Sequence, residues 1–123
     1  MAPLEEQPDS DFPPPAAEVS ISFDAGTALI TLSGEIDLAL GAGLEFAAEE
    51  AILRSLPVRV DLSAVTFMDS AGVGFLARLV RAGSESGWRL TVIGPRRRIL
   101  ETLTITGLVP AIDVHETETQ ART

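Results

Sequence analysis

The stretch of residues 57–87 constrains the fold most, because its apolar period changes from that of a strand to that of a helix within a few residues. Residues 57–63 (PVRVDLS) alternate apolar and polar side chains, which predicts a strand with Val58, Val60 and Leu62 facing inward. From Ser70 the spacing is helical. One apolar stripe of this predicted helix contains Val73, Leu76, Val80 and Gly83. The helix is expected to stop near Gly87, because glycine is favoured just after the last helical turn.

The same two periods recur along the rest of the chain. Strands are predicted at 19–23, 27–34 and 88–94, the first two forming a hairpin, with a short edge strand after residue 107. Helices are predicted within 34–55 and over 95–107, the second opening with Pro95 at its start. The apolar face of the first of these helices is predicted to contain Leu40, Leu44, Phe46, Ala47, Ala51 and Leu53. The order β-β-α-β-α-β-α-β predicts an α/β fold with a mostly parallel sheet and the helices on one face.

Charge and proline content divide the 123 residues into a domain and two ends. The net charge is −9, but residues 1–18 contain five acids and no base, and residues 19–112 carry only −2. Residues 1–17 also contain five of the eight prolines and show no periodicity. They are predicted to form a disordered acidic tail, since they cannot bury enough apolar surface to offset chain entropy. The domain is predicted at 18–115, with a flexible C-terminus at 116–123.

Composition also excludes several classes of protein. No apolar run approaches the ~20 residues that span a bilayer, and the first residues do not have the pattern of a signal peptide. The chain has no cysteine, so neither a disulfide nor a thiolate metal site is possible. The sequence shows neither a metal-ligand cluster nor the basic footprint of a nucleic-acid binder. We therefore expect a cytoplasmic protein with no cofactor, no metal and no contact with nucleic acid or membrane.

The chemistry is concentrated where residues 67–83 (FMDSAGVGFLARLVRAG) pass from strand to helix. Either Asp69 or Ser70 could cap the helix. A cap does not explain Gly72 and Gly74, each of which costs ~1 kcal/mol inside a helix relative to alanine. Their absence of side chains suits a close approach by an anion, such as a nucleotide phosphate, or by another protein.

Two of the possible functions find little support in the residues. The glycines form G-x-G-x-x-A, but the next strand ends in Gly94 and not in the acid that a dinucleotide site needs. A serine nucleophile needs a base, and the only histidine, His115, lies near the C-terminus. We therefore expect no enzyme. Ser70 is better interpreted as a substrate, because a helix N-terminus accommodates a phosphate and phosphorylation adds about −1.5 to −2 charges.

These residues resemble a known family. The segment VRVDLSAVTFMDSAGVGFLARL, with LSGEIDLA at 32–39, LTVIGP at 90–95 and LETLTITGL at 100–108, is similar to the STAS domain of bacterial anti-sigma factor antagonists. The resemblance covers about residues 19–115 and implies a sheet flanked by helices on one side. It also implies that the unphosphorylated protein binds an anti-sigma factor serine kinase and releases the sigma factor. The kinase then phosphorylates the protein, and a serine phosphatase acts transiently to reset it.

The resemblance assigns roles to individual residues. Ser70 matches the phosphorylated serine, and Asp69 the acid that precedes it. The partner-binding surface implied by the match consists of Glu35, Asp37, Asp69, Ser70, Ala71, Gly72 and Gly74. Capping of a helix is the alternative role for Asp37. Ala71 stands where many relatives have a hydroxyl residue, which leaves Ser70 as the only hydroxyl of the turn.

Three questions stay open at the level of sequence. The C-terminal residues lack the apolar spacing of the amphipathic helix that many relatives have. The arginines at 96–98 could help docking to an acidic partner or simply be solvated. The alternative function is a STAS scaffold in another signalling assembly, in which Ser70 is never phosphorylated. We expect a monomer in the free state.

Overall fold

The computed structural model of the protein describes residues 17–117, which form one mixed sheet with helices packed on it. The strands are β1 (Glu18–Asp24), β2 (Thr27–Ile36), β3 (Val58–Met68), β4 (Leu90–Ile93) and β5 (Ile112–His115). The helices are α1 (Gly41–Leu53), α2 (Ser70–Ser86) and α3 (Arg97–Ile105), with 3-10 turns at Leu38–Leu40 and Val109–Ala111. The predicted order of elements is confirmed. Both predicted tails fall almost entirely outside the described residues, so their boundaries stay a prediction.

The strands lie side by side in the order β1-β2-β3-β4-β5. β1 and β2 form the predicted antiparallel hairpin, and every other neighbouring pair is parallel. α1, α2 and α3 each connect one parallel strand to the next. Because parallel strands end at the same edge of a sheet, the carboxyl ends of β2, β3, β4 and β5 share one edge, and the chain enters α2 there.

The helices cover one face of the sheet, as predicted. The strand residues of this face are fully buried in a single aliphatic core. They include Ala28, Ile30 and Leu32 of β2, Val58, Val60 and Leu62 of β3, and Leu90 and Val92 of β4. Side chains of the opposite face, such as Thr31, Asp61 and Thr91, are only partly buried. This alternation follows from the period of two along a strand with one solvated face.

β3 continues to Met68, five residues beyond its predicted end. Its pairing with β2 shifts register between Thr31 and Ser33 and again between Gly34 and Glu35. Each shift breaks the period of two, so that Ser63 and Ala64 are both exposed while Val65 and Met68 return to the core. The sequence pattern is lost at such bulges although the strand continues.

α1 buries a narrower face than the sequence predicted. Its buried side chains are Leu44, Ala47, Ala48 and Ala51. The placement of Phe46 and Leu53 on that face is wrong, because their exposed fractions are 61% and 78%. Two residues along a helix correspond to ~200° at 3.6 residues per turn, so Phe46 lies opposite Leu44.

α2 begins at Ser70 and ends at Ser86, close to the predicted limits. Its buried residues are Gly72, Phe75, Leu76, Leu79 and Gly83, whereas Val73 and Val80 of the predicted stripe are half-buried. Gly87 caps the helix with a φ of 89° and donates its N–H to the Gly83 carbonyl at 2.8 Å. The apolar stripe is therefore rotated from its predicted position, and the C-terminal cap is confirmed.

α3 begins at Arg97, so Pro95 precedes the helix and does not open it. It ends at Ile105, and Gly107 follows with a φ of 83°. Among residues 17–117, no helix is both long enough and apolar enough to cross a membrane.

Candidate functional site

Ser70 lies at the carboxyl edge of the sheet, in the turn that joins β3 to α2. It is the first residue of α2 and is exposed to solvent. The N–H of Asp69 donates to the Ile36 carbonyl at 3.0 Å. This bond ties the turn to the end of β2, so the serine is presented from two neighbouring strands and not from a loose loop.

Asp69 is the N-cap of α2. Its Oδ1 accepts the Ala71 N–H at 2.7 Å, and its carbonyl accepts the N–H groups of Gly72 and Val73, each at 3.1 Å. The capping interpretation of Asp69 is therefore correct. Within residues 17–117 the Ser70 hydroxyl has no hydrogen-bond partner. The Asp69 carboxylate thus accepts a backbone N–H of the first turn. The Ser70 hydroxyl is not used in this capping.

The two glycines near the start of α2 have different environments. Gly72 is buried, and a Cβ there would collide with the Met68 side chain and lie 3.2 Å from Ile36 Cγ2. Packing within the chain therefore accounts for glycine at 72. Gly74 is exposed, and a Cβ there would meet nothing within 4 Å. Of the two glycines, only Gly74 exposes its backbone to solvent. The close approach of another molecule that the sequence predicts is therefore possible at Gly74 but not at Gly72.

Glu35 and Asp37 lie beside the turn because β2 and β3 are parallel. Glu35 pairs with Phe67 and Ile36 with Met68, immediately before Asp69. Asp37 caps the 3-10 turn by accepting the Ala39 N–H at 3.0 Å, so its alternative role as a cap is real. Glu35 is exposed. The structure thus brings every candidate residue of the sequence to one edge of the sheet.

Two grooves border this edge. The first, named here the α1–α2 groove, has a volume of about 430 Å³ and is lined by Gly41, Ala42, Leu44, Glu45, Ala48, Ala71, Gly74, Phe75 and Arg78. The second, named the strand-end groove, measures about 810 Å³ and is lined by Ala17, Ser33, Gly34, Glu35, Asp37, Ala39, Leu40, Ala64, Thr66 and Arg96. Small residues predominate in both, which leaves room for side chains of another molecule or segment.

Two exposed apolar residues next to the turn were missed by the sequence analysis. Leu38, beside Asp37, is 77% exposed, and Phe67, two residues before Asp69, is 46% exposed. Leu38 matched the start of a predicted helix, and Phe67 fell beyond the predicted end of β3. The bulges in the β2–β3 pairing turn Phe67 outward, and no sequence signal marks them.

At this site Ser70 presents an exposed hydroxyl at the start of α2. His115 ends β5, which is separated from β3 by β4. In the described part of the chain no three His, Cys, Asp or Glu residues are grouped so that they could hold a metal ion. The exposed hydroxyl at a helix start can accept a phosphoryl group from a donor held by another protein.

This sheet of five strands, with three helices on one face and a serine at the start of the second, is the fold of the STAS domain. The family model described as "Mlab, STAS domain" matches residues 19–110. The structure of an anti-sigma factor antagonist from Mycobacterium paratuberculosis is 30% identical in sequence. The superposed region covers 89% of this chain and 93% of the chain of that antagonist, with a TM-score of 0.72. The chain therefore belongs to the STAS domain family of bacterial anti-sigma factor antagonists.

Two further solved structures share the fold. The Bacillus cell fate determinant SpoIIAA, solved in its phosphorylated form, is 23% identical and covers 87% of this chain and 96% of its own, with a TM-score of 0.68. The STAS domain of a SulP transporter from Vibrio cholerae is 19% identical and covers 81% of this chain and 80% of its own, with a TM-score of 0.64. Among curated proteins none matches this sequence.

Proposed function

We propose that this protein is an anti-sigma factor antagonist whose binding is switched by phosphorylation of Ser70. The unphosphorylated form binds an anti-sigma factor serine kinase in the cytoplasm, and the kinase then releases its sigma factor. The observation that supports this most directly is the exposed hydroxyl of Ser70 at a capped helix start, which has no hydrogen-bond partner within residues 17–117. The protein is the substrate of the phosphorylation and not itself an enzyme.

The proposed binding surface surrounds the serine. Gly74 and Ala71 line the α1–α2 groove, where a partner side chain can reach the backbone of α2. Leu38 and Phe67 supply exposed apolar area, and covering it with a partner favours binding. Glu35 and Asp37 add negative charge on the side of β2. Gly72 contributes through the shape of the turn, because its own position faces the core.

The proposed chemistry is a phosphoryl transfer. Ser70 Oγ attacks the γ-phosphorus of ATP held by the kinase, the bond to the bridging oxygen of ADP breaks, and the hydroxyl proton leaves to a base of the kinase. ADP departs, and the serine carries a phosphate of about −1.5 to −2 charges. A serine phosphatase later hydrolyses this ester and restores the binding form.

The phosphate weakens binding through charge and bulk and does not need to unfold the domain. The dipole of α2 favours an anion at its start by about 0.3–1 kcal/mol. The Asp69 carboxylate opposes the phosphate, because it is negative and already accepts the Ala71 N–H. These two local effects are of opposite sign, whereas a phosphate enclosed by a docked partner without a matching cation is costly to desolvate. The main effect is therefore expected at the interface.

The test is a binding measurement with the anti-sigma factor kinase that the source cell produces. Ser70→Ala is expected to bind as tightly as the wild type, and Ser70→Asp to bind about tenfold more weakly or worse, since each 1.4 kcal/mol changes affinity tenfold. Incubation with ATP should phosphorylate the wild type but not Ser70→Ala, as read by intact-protein mass. Binding of unchanged strength by Ser70→Asp would contradict the proposed switch.

A matched variant separates the site from net charge. Ser22→Asp adds the same charge on the exposed part of edge strand β1. This variant is expected to bind like the wild type. Equal weakening by Ser22→Asp and Ser70→Asp would mean that overall charge, and not the position of the serine, controls binding.

A scaffold function is the second candidate. It is favoured by the description of the matching family model, which names Mlab, and by the transporter STAS domain that shares the fold. On this hypothesis the same surface binds a larger assembly permanently. Capture of a multi-protein assembly by wild type, Ser70→Ala and Ser70→Asp alike would support it over the switch.

A further inference from the structure

The strand-end groove begins where the described chain begins. Ala17 is half-buried at its edge and lies against the backbone of Gly34, where an added Cβ would be 3.0 Å from Ala17 Cα. Gly34 has a φ of +80°, so a side chain there is excluded for conformational reasons as well. Residues 1–16 therefore join the fold at the groove itself, and the segment that immediately precedes Ala17 must start from its edge.

The lining of the same groove also contains an arginine, the first of three in sequence. Arg96 lines it and donates from Nε to the Ser63 carbonyl at 3.2 Å. Arg97 and Arg98 follow in the first turn of α3, which contains no acid. Within residues 17–117 the arginine cluster (residues 96–98) has one ion pair, which joins Arg97 to Glu101 at 3.9 Å. Both side chains are largely exposed, so this pair neutralises little of the positive charge. Three cations at the positive end of a helix favour an acidic occupant.

Residues 1–16 have the complementary chemistry. Residues 12–16 read FPPPA, an apolar run whose prolines prefer a stiff extended helix rising ~3.1 Å per residue. Residues 1–11 contain four acids and no base. An extended proline run loses little conformational freedom on docking, which lowers the entropic cost.

We propose that residues 1–16 dock intramolecularly in the strand-end groove, with residues 12–16 along its small-residue wall and the acids against the arginine cluster. Glu35 and Asp37 line the groove near Gly34 and repel carboxylates. They therefore set the direction of the segment: the uncharged prolines pass these two acids, and Asp9 and Asp11 continue toward the arginines. The association is within one chain and is independent of any partner protein.

Docking would also regulate the proposed partner surface, an effect that rests on the proposed function. The segment covers Glu35 and Asp37, which belong to that surface. Neutralising its acids should then raise the affinity for the kinase several-fold, because the segment no longer competes. Failure of the proposed function would remove this effect but would leave the intramolecular contact intact.

The test is paramagnetic relaxation in the full chain without partner. The protein has no cysteine, so Ser10→Cys gives a unique position for a nitroxide between Asp9 and Asp11. The amides of residues 96–98 and of Ala64 and Thr66 are expected to lose most of their intensity. Raising the salt to about 1 M, where the Debye length is ~3 Å, should restore them, as should the substitutions E5Q, E6Q, D9N and D11N together.

Controls distinguish the proposed contact from other contacts. A nitroxide at Ser22→Cys, on β1, should leave the arginine cluster unaffected. Intensity loss that is insensitive to salt, or that centres on Phe46 and Leu53 of α1, would overturn the proposal. A mixed sample tests for contacts between copies: one chain carries the nitroxide without ¹⁵N, and the other carries ¹⁵N without the nitroxide. Intensity loss in this mixture would also overturn the proposal, because it would show that a second copy occupies the groove.

Discussion

At the scale of single residues, two glycines separated by one residue near the start of α2 serve different purposes. Gly72 is enclosed by Met68 and Ile36, and Gly74 faces open space. The two glycines look equivalent in the sequence. They differ in the side of the helix on which each lies. The site is thus built from one glycine that holds the turn against the core and one that keeps a solvent-facing surface bare.

This difference predicts opposite effects on stability. Gly74→Ala should raise the free energy of unfolding by about 0.5–1 kcal/mol, because alanine is the better helix former and meets no neighbour. Gly72→Ala should lower it by about 1–3 kcal/mol, because overpacking of the core outweighs the gain in propensity. Urea unfolding with an unchanged slope m measures both. A stabilised Gly72→Ala protein would show that Met68 can move aside freely.

At the scale of elements, α2 is defined by its two ends. Asp69 satisfies the first turn through Ala71, and Gly87 ends the helix in the left-handed region with a bond to Gly83. Both ends could be located from residue types alone. α1 lacks such a signal, since its N-cap Leu40 makes no side-chain bond and a 3-10 turn precedes it. Accordingly, the limits of α2 were predicted well and those of α1 were not.

The cap of α2 gives a prediction that separates hydrogen bonding from charge. Asp69→Ala should cost about 1 kcal/mol of stability, because the Ala71 N–H loses its acceptor. Asp69→Asn should cost little, because asparagine caps a helix as well as aspartate does. Urea unfolding of the two variants makes the comparison. Equal losses would assign the effect to the charge of Asp69 and contradict the capping role.

At the scale of the whole molecule, the two edges of the sheet are held differently. β1 pairs with β2 in a hairpin, whereas the short β5 pairs with β4 and also receives side-chain bonds from Arg89. Arg89 Nε donates to Asp113 Oδ1 at 3.0 Å, and Nη2 donates to the Ile112 carbonyl at 3.1 Å. β5 has only four residues, all paired with β4, and the partly exposed Arg89 clamp adds to this short pairing.

Removal of the clamp should loosen one edge without unfolding the domain. In Arg89→Ala the amides of β5 (Ile112–His115) are expected to exchange with deuterium several-fold faster, while those of β2 and β3 keep their protection. Arg81→Ala, on the exposed side of α2, removes the same charge and serves as the control. Unchanged exchange in β5 after Arg89→Ala would show that backbone pairing alone holds this strand.

The sequence by itself determined the order of elements, the buried strand face and the serine at a capped helix start. These features depend on local physics: the period of the apolar side chains, the residue types at caps and turns, and the residue pattern of the Asp-Ser turn. Ser70 and Asp69 could be singled out for that reason. Alternation also indicated that one face of the sheet is solvated, which the exposure of Thr31 and Thr91 agrees with.

Only the tertiary structure decided which side chains share a surface. The bulges that extend β3 and expose Phe67 arise from pairing with β2, a contact between distant parts of the chain. Packing against Met68 determines the role of Gly72, and the contact of Ala17 with Gly34 brings the start of the described chain to the strand-end groove. Such contacts depend on how elements far apart in sequence meet in space, so no local pattern of residues specifies them.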